Sequence, residues 1–224
     1  MAFLAMLFVL FLLFSWAVQV RADVVLEEGR TSRVITTELS YLRDDAGAFG
    51  LADVMARPAQ DWQHNGDQTF SHGYTDAHWW LRVEVGNVRT EVSRLLLELS
   101  YPVLDDVEVW VLGPDRTLEA HYRLGDKRPF AVRPVQHRFF LIPLNMAPDA
   151  TRTVVFRLHS SSSMQAPLTL WEERAYYEQD QKILLAEGVF FGGIGLLVVY
   201  SFFVFVALRE RMHFYYVLFV ISLL

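Results

Sequence analysis

Val107–Leu124 reads VEVWVLGPDRTLEAHYRL. Its first six residues alternate, with Val107, Val109 and Val111 on one face and Glu108 and Trp110 on the other. A period of two places successive side chains on opposite faces of a strand. Gly113-Pro114-Asp115-Arg116 is turn chemistry, because proline presets one backbone angle while glycine and aspartate tolerate the conformations a reversal needs. The stretch predicts a β-hairpin.

The same signature recurs on both sides of it. His78–Val85 (HWWLRVEV), Arg94–Ser100 (RLLLELS), His137–Leu144 (HRFFLIPL) and Thr151–His159 (TRTVVFRLH) are short and rich in β-branched or aromatic residues. Gly47–Gly50, Pro58 and Asn65-Gly66-Asp67 mark loops, and Leu51–Ala56 reads as a short helix. Many short strands with regular turns predict a mainly β chain, an antiparallel sandwich or jelly roll spanning residues 23–172.

The ends differ in kind. Ile183–Leu208 (ILLAEGVFFGGIGLLVVYSFFVFVAL) carries a single charge, Glu187, and is followed by Arg209-Glu210-Arg211. A helix of that length reaches roughly 39 Å, enough to cross a hydrocarbon core of about 30 Å. The lipid bilayer is therefore a predicted partner, and the basic pair marks the cytoplasmic end. Residues 173–182 form a polar, helix-compatible connector, and residues 212–224 read as the start of a second membrane helix. Residues 1–22 read as a signal peptide, with an uncleaved N-terminal anchor as the alternative. Either places residues 23–180 outside the cytoplasm.

Composition excludes several functions. Of 20 basic and 26 acidic residues, four basic and two acidic lie in the terminal segments, leaving 16 and 24 between Asp23 and Asp180, a net −8. Such a surface repels phosphate backbones, so no nucleic-acid partner is expected. The chain has no cysteine, hence no disulfide and no thiolate ligand. Its histidines lack metal-site spacing, and no Gly-rich phosphate loop or nucleophile elbow is present, so neither a metal, a cofactor nor a catalytic residue is expected.

Several stretches together resemble a known family. Trp79-Trp80-Leu81-Arg82 with Asn87, Leu96–Trp110 with Tyr101-Pro102 and Leu104-Asp105-Asp106-Val107, Phe156–Trp171 (FRLHSSSSMQAPLTLW), and Glu187–Gly192 with Leu208–Tyr216 are similar, in order and spacing, to the type 2 extracellular domain of bacterial seven-transmembrane receptors with diverse intracellular signalling modules. The resemblance implies a jelly-roll sensor similar to carbohydrate-binding modules, held in the periplasm by the inner membrane. It also implies a seven-helix bundle and a cytoplasmic diguanylate cyclase or histidine kinase, of which this chain holds about one and a half helices and no output module.

Within that frame the candidate ligand-binding residues are Trp80, Arg82 and Trp110. Aromatic faces stack on sugar C–H surfaces, and a guanidinium donates to hydroxyls or carboxylates. A small molecule or glycan is the expected ligand. Packing of both tryptophans in the sandwich and a structural ion pair for Arg82 are the alternative. Asp105-Asp106 and Ser160–Ser163 read as a solvated turn and a loop. Gly188 and Gly192 form a small-xxx-small pair suited to close helix packing. The rival readings are a periplasmic interaction module, acting as a homodimer or on a partner receptor, and a membrane-bound carbohydrate enzyme.

Overall fold

The computed structural model describes residues 23–66 and 69–222. The predicted signal peptide or anchor at 1–22 and the predicted loop residue Asp67 lie outside them. The strands, in chain order, are β1 Val24–Val25, β2 Ser32–Val34, β3 Ser40–Asp44, β4 Gln63–His64, β5 Ser71–Tyr74, β6 His78–Gly86, β7 Ser93–Leu99, β8 Asp106–Leu112, β9 Leu118–Leu124, β10 Phe140–Met146, β11 Thr151–His159, β12 Ser163–Gln165 and β13 Leu168–Glu172. The helices are α1 Leu51–Ala56, α2 Glu173–Leu208 and α3 Arg211–Ile221. The chain divides into two compact units between Glu173 and Arg174.

The first unit is a β-sandwich. One sheet runs β4-β3-β6-β11-β8-β9, with β1 added parallel to β6; the other runs β10-β7-β13-β2. A two-stranded piece, β12-β5, completes it. All pairings other than β1–β6 are antiparallel. The predicted hairpin is β8–β9, with Val109 opposite Tyr122 and Trp110 opposite His121. Between the sheets the inward positions meet: Leu81, Val83 and Val85 of β6, Val107, Val109 and Val111 of β8, Leu95, Leu97 and Leu99 of β7, and Val154, Phe156 and Leu158 of β11. Each such buried aliphatic or aromatic side chain contributes about 1.5–3 kcal/mol.

Most predicted strand boundaries shift by a residue; that of β10 shifts furthest. His137–Phe139 precede β10 rather than joining it. The Arg133 guanidinium takes the carbonyls of His137 and Arg138, which turns this segment away from the ladder. Asn87, after β6, is buried: its Nδ2 lies 2.9–3.1 Å from the carbonyls of Glu91, Met146 and Ala147, and its Oδ1 accepts from Ser93 Oγ and Arg89 N–H. It joins the β6–β7 turn to the end of β10.

The Asp105-Asp106 pair is not a solvated turn. Asp105 is buried, and its carboxylate accepts from Lys127 Nζ at 2.7 Å and from the Ser161 N–H at 2.8 Å. These bonds hold its carboxyl down at about 2. The serine loop is thereby pinned to the start of β8. Gly125 lies against the same turn with φ of 137°, and a Cβ there would stand 2.0 Å from the Asp105 carbonyl oxygen.

The second unit is helical. α2 is 36 residues long, with a mean hydropathy of 2.4 over its most apolar 18-residue window, and is the one helix among the described residues long and apolar enough to cross a membrane. Leu208 ends it, Arg209 takes a left-handed φ of 53°, and α3 begins at Arg211. Phe205 and Phe214 pack with ring centroids 5.4 Å apart, closing a helical hairpin.

Candidate functional site

The period of β6 sends Trp79 and Trp80 to opposite faces of the large sheet. Trp79 enters the inter-sheet core, where its ring stacks on His72 at 3.9 Å. Trp80 emerges on the outer face, where a second core forms. There Leu42, Trp62, Trp80, Trp110, Leu112 and Val155 are covered by α1 through Val54, with Phe49, Leu51 and Met55 alongside. Trp80 is 0% exposed and Trp110 8%. Their rings stack at 5.4 Å and 14°, and His121 stacks on the far side of Trp110 at 5.1 Å and 7°.

The sequence-predicted trio is thus brought to one sheet face but not to one open surface. Trp80 offers no face to a ligand; it is a packed floor. Trp110 lies between that floor and His121. Arg82, half-buried, sits with its guanidinium 4.4 Å over the Trp62 ring. Gly188 and Gly192 stand on α2, where an added Cβ would meet nothing within 4 Å.

Beside the tryptophan stack the covering of α1 stops and a polar cleft of about 150 Å³ opens, lined by His78, Asp106, Val107, Glu108, Arg123, Arg128, Arg157 and His159. Period-two alternation carries the polar side chains of β6, β8, β9 and β11 here on the face that bears Trp80 and Trp110. Glu108 is the hub: Oε1 accepts from His121 Nε2 and Arg123 Nε, each at 2.9 Å, and Arg157 Nη1 stands 3.9 Å from Oε2. Asp106 accepts from Arg128 at 2.9 Å. Arg157 lies 5.7 Å over the Trp80 ring and donates to the Gly47 carbonyl at 3.0 Å. The His78 and His159 rings stack at 4.5 Å and 20°.

The loop after β3 runs beside the cleft, bonded to Arg157 through the Gly47 carbonyl. Asp44 is buried and accepts from the N–H groups of Ala48 and Phe49. Burial pushes its carboxyl up, the N–H groups of Phe49 and Ala48 together with the Trp80 indole and the Gly47 N–H pull it down, and the net direction is down. Gly47 follows with φ of 63°, and its Cα hydrogen points at His78, whose ring atoms would lie 2.6 Å from a Cβ. Burial first, then the charges of Arg157 and His159, push the His78 imidazole below its usual value, against the pull of Asp44 and Asp106. Sequence reasoning placed none of Arg123, Arg128, Arg157, His78 or His159 at a site. For all of these but Arg128, which follows β9, the readable signal was shared strand parity with Trp80 and Trp110.

A β-sandwich with a walled polar cleft on one face, continued at its C-terminus by a membrane-length apolar helix, has the architecture of a membrane-tethered sensor. Residues 36–172 match the model of the 7TMR-DISM extracellular 2 family, and the chain belongs to that family of extracellular domains of seven-transmembrane receptors. It is the sensor region of a membrane protein with an extracytoplasmic part. No curated protein matches the chain. Among solved structures, a carbohydrate-binding module of the β-sandwich superfamily aligns at 8% identity and a TM-score of 0.26; the match covers 68% of this chain and 60% of that one.

Proposed function

We propose that the chain is the input region of a bacterial signal-transduction receptor, with its sandwich in the periplasm and α2 crossing the inner membrane. The cleft of about 150 Å³ on the outer face of the large sheet carries this reading. It takes a small, hydroxyl-bearing, carbohydrate-like ligand. Guanidinium and carboxylate groups alternate along its walls, so donors and acceptors for hydroxyls are already oriented. The Trp80–Trp110 stack holds those groups from beneath, and Arg82 braces Trp62 at the margin of the same face.

Ligand binding biases the packing of the sandwich between two states, by no more than the ligand's difference in affinity for them. The bias passes through α2 to a cytoplasmic diguanylate cyclase or histidine kinase outside these 224 residues. Gly188 and Gly192 open a face of α2 to a second helix, of another copy or of a partner receptor. In this reading the domain is a non-catalytic input.

The test is a thermal-shift screen of the detergent-solubilised chain against neutral monosaccharides and oligosaccharides. A ligand that binds the folded state raises Tm with concentration. Stabilisation that disappears in Arg157→Gln supports the cleft. A panel that leaves Tm unmoved overturns the carbohydrate reading. Reporter fusions at residue 60 and after Arg211 must report opposite sides of the membrane, or the topology is wrong.

A further inference from the structure

The cleft's chemistry is more specific than hydroxyl recognition. Arg123, Arg128 and Arg157 converge on it from β9, the turn after β9, and β11. Asp106 and Glu108 are the carboxylates in its lining, and each already accepts from a guanidinium at 2.9 Å. The third nearby carboxylate, Asp44, is turned into its own loop by two backbone N–H groups and does not line the cleft. Stacked imidazoles, His78 and His159, complete the lining with ring centroids 4.5 Å apart.

We infer that the cleft's ligand carries a small oxyanion, a carboxylate or phosphate group, which pairs with its guanidiniums. This deepens the reading of the cleft as a ligand site and rests on it. The physical reason is local charge. Three guanidiniums face two carboxylates in the lining, and Arg157 stands 3.9 Å from Glu108, beyond hydrogen-bond distance, so an entering anion completes its pairing.

His78 lies under the Gly47 loop: its Nδ1 is buried and has no hydrogen-bond partner, and it is covered by Gly47. The entering oxyanion therefore lies against Arg157 and Arg128, beside His159, and no bond in the ligand changes.

The experiment compares three probes on the detergent-solubilised chain by thermal shift at neutral pH: galacturonate, its neutral counterpart galactose, and inorganic phosphate. Galacturonate is expected to stabilise more than galactose. Phosphate stabilising alone assigns the recognition to charge; galacturonate stabilising without phosphate assigns it to charge and ring together; both support the inference. Arg157→Gln and Arg128→Gln should each weaken both oxyanions more than they weaken galactose. Equal stabilisation by galactose and galacturonate overturns the inference and leaves the carbohydrate site standing. Stabilisation by none of the three overturns both. Stabilisation by the oxyanions that survives both substitutions places their site elsewhere and overturns the inference.

Discussion

Replacing Asp105 by asparagine keeps the shape of the side chain and removes its charge. In the native chain the Lys127 ammonium and then the Ser161 N–H hold the carboxyl at about 2, below an ordinary 3.8. At about 1.36 kcal/mol per pH unit, that difference is worth at most about 2.4 kcal/mol. The Lys127 side chain is 62% exposed, so solvent screens part of the attraction, and a loss of about 1–1.5 kcal/mol at neutral pH is the expected cost of D105N. The sign follows from the depressed value. Hydrogen bonds favour the charged carboxylate, so its contribution is complete above pH about 4 and disappears as pH falls through about 2. Urea unfolding of the detergent-solubilised chain, followed by tryptophan fluorescence at pH about 7, 4 and 2, measures the gap between the two proteins. The gap should be widest at neutral pH and closed at the lowest. Equal stability at neutral pH, or a gap that persists at pH 2, refutes the assignment of Asp105 as a charged anchor.

Three further outcomes follow from the packing. Trp80→Ala empties a fully buried site beneath Arg157 and should cost about 3–5 kcal/mol in urea unfolding; a loss below about 1 kcal/mol means that Trp80 is not the floor of the cleft. Gly125→Ala adds a Cβ 2.0 Å from the Asp105 carbonyl oxygen at a φ that only glycine adopts freely, and should cost about 3 kcal/mol or more; an unchanged Tm contradicts the close approach. Asn87→Asp sets a carboxylate against the carbonyls of Glu91, Met146 and Ala147 and should destabilise more than Asn87→Ala, which costs about 1–3 kcal/mol through unsatisfied carbonyls; the reverse order in a thermal melt contradicts the hydrogen-bond assignment.

The parts legible in the sequence are those set by neighbours along the chain. Alternation and a Gly-Pro-Asp-Arg turn specify the β8–β9 hairpin, because both act within a few residues. Leu51–Ala56 folds as the helix its composition predicts. Length and apolarity alone mark residues 183–208 as membrane-crossing in kind, and the helix that carries them, Glu173–Leu208, takes in the polar connector as well. Period two placed Trp79 and Trp80 on opposite faces, but it carries no information about what covers each face.

That covering was decided by the tertiary structure. Trp80 is buried because α1 and Trp62, some 18 to 30 residues before it in the chain, fold over the outer face. Asp105 is an anchor and not a solvated turn because the chain brings Lys127 and Ser161, 22 and 56 residues away, onto one carboxylate. Beside the cleft a hydrogen bond joins Arg157 to the Gly47 carbonyl across 110 residues. Local propensity sets which way a side chain points along its own strand; which strand becomes its neighbour is settled by burying the apolar faces of both sheets at once, and that is a property of the whole chain.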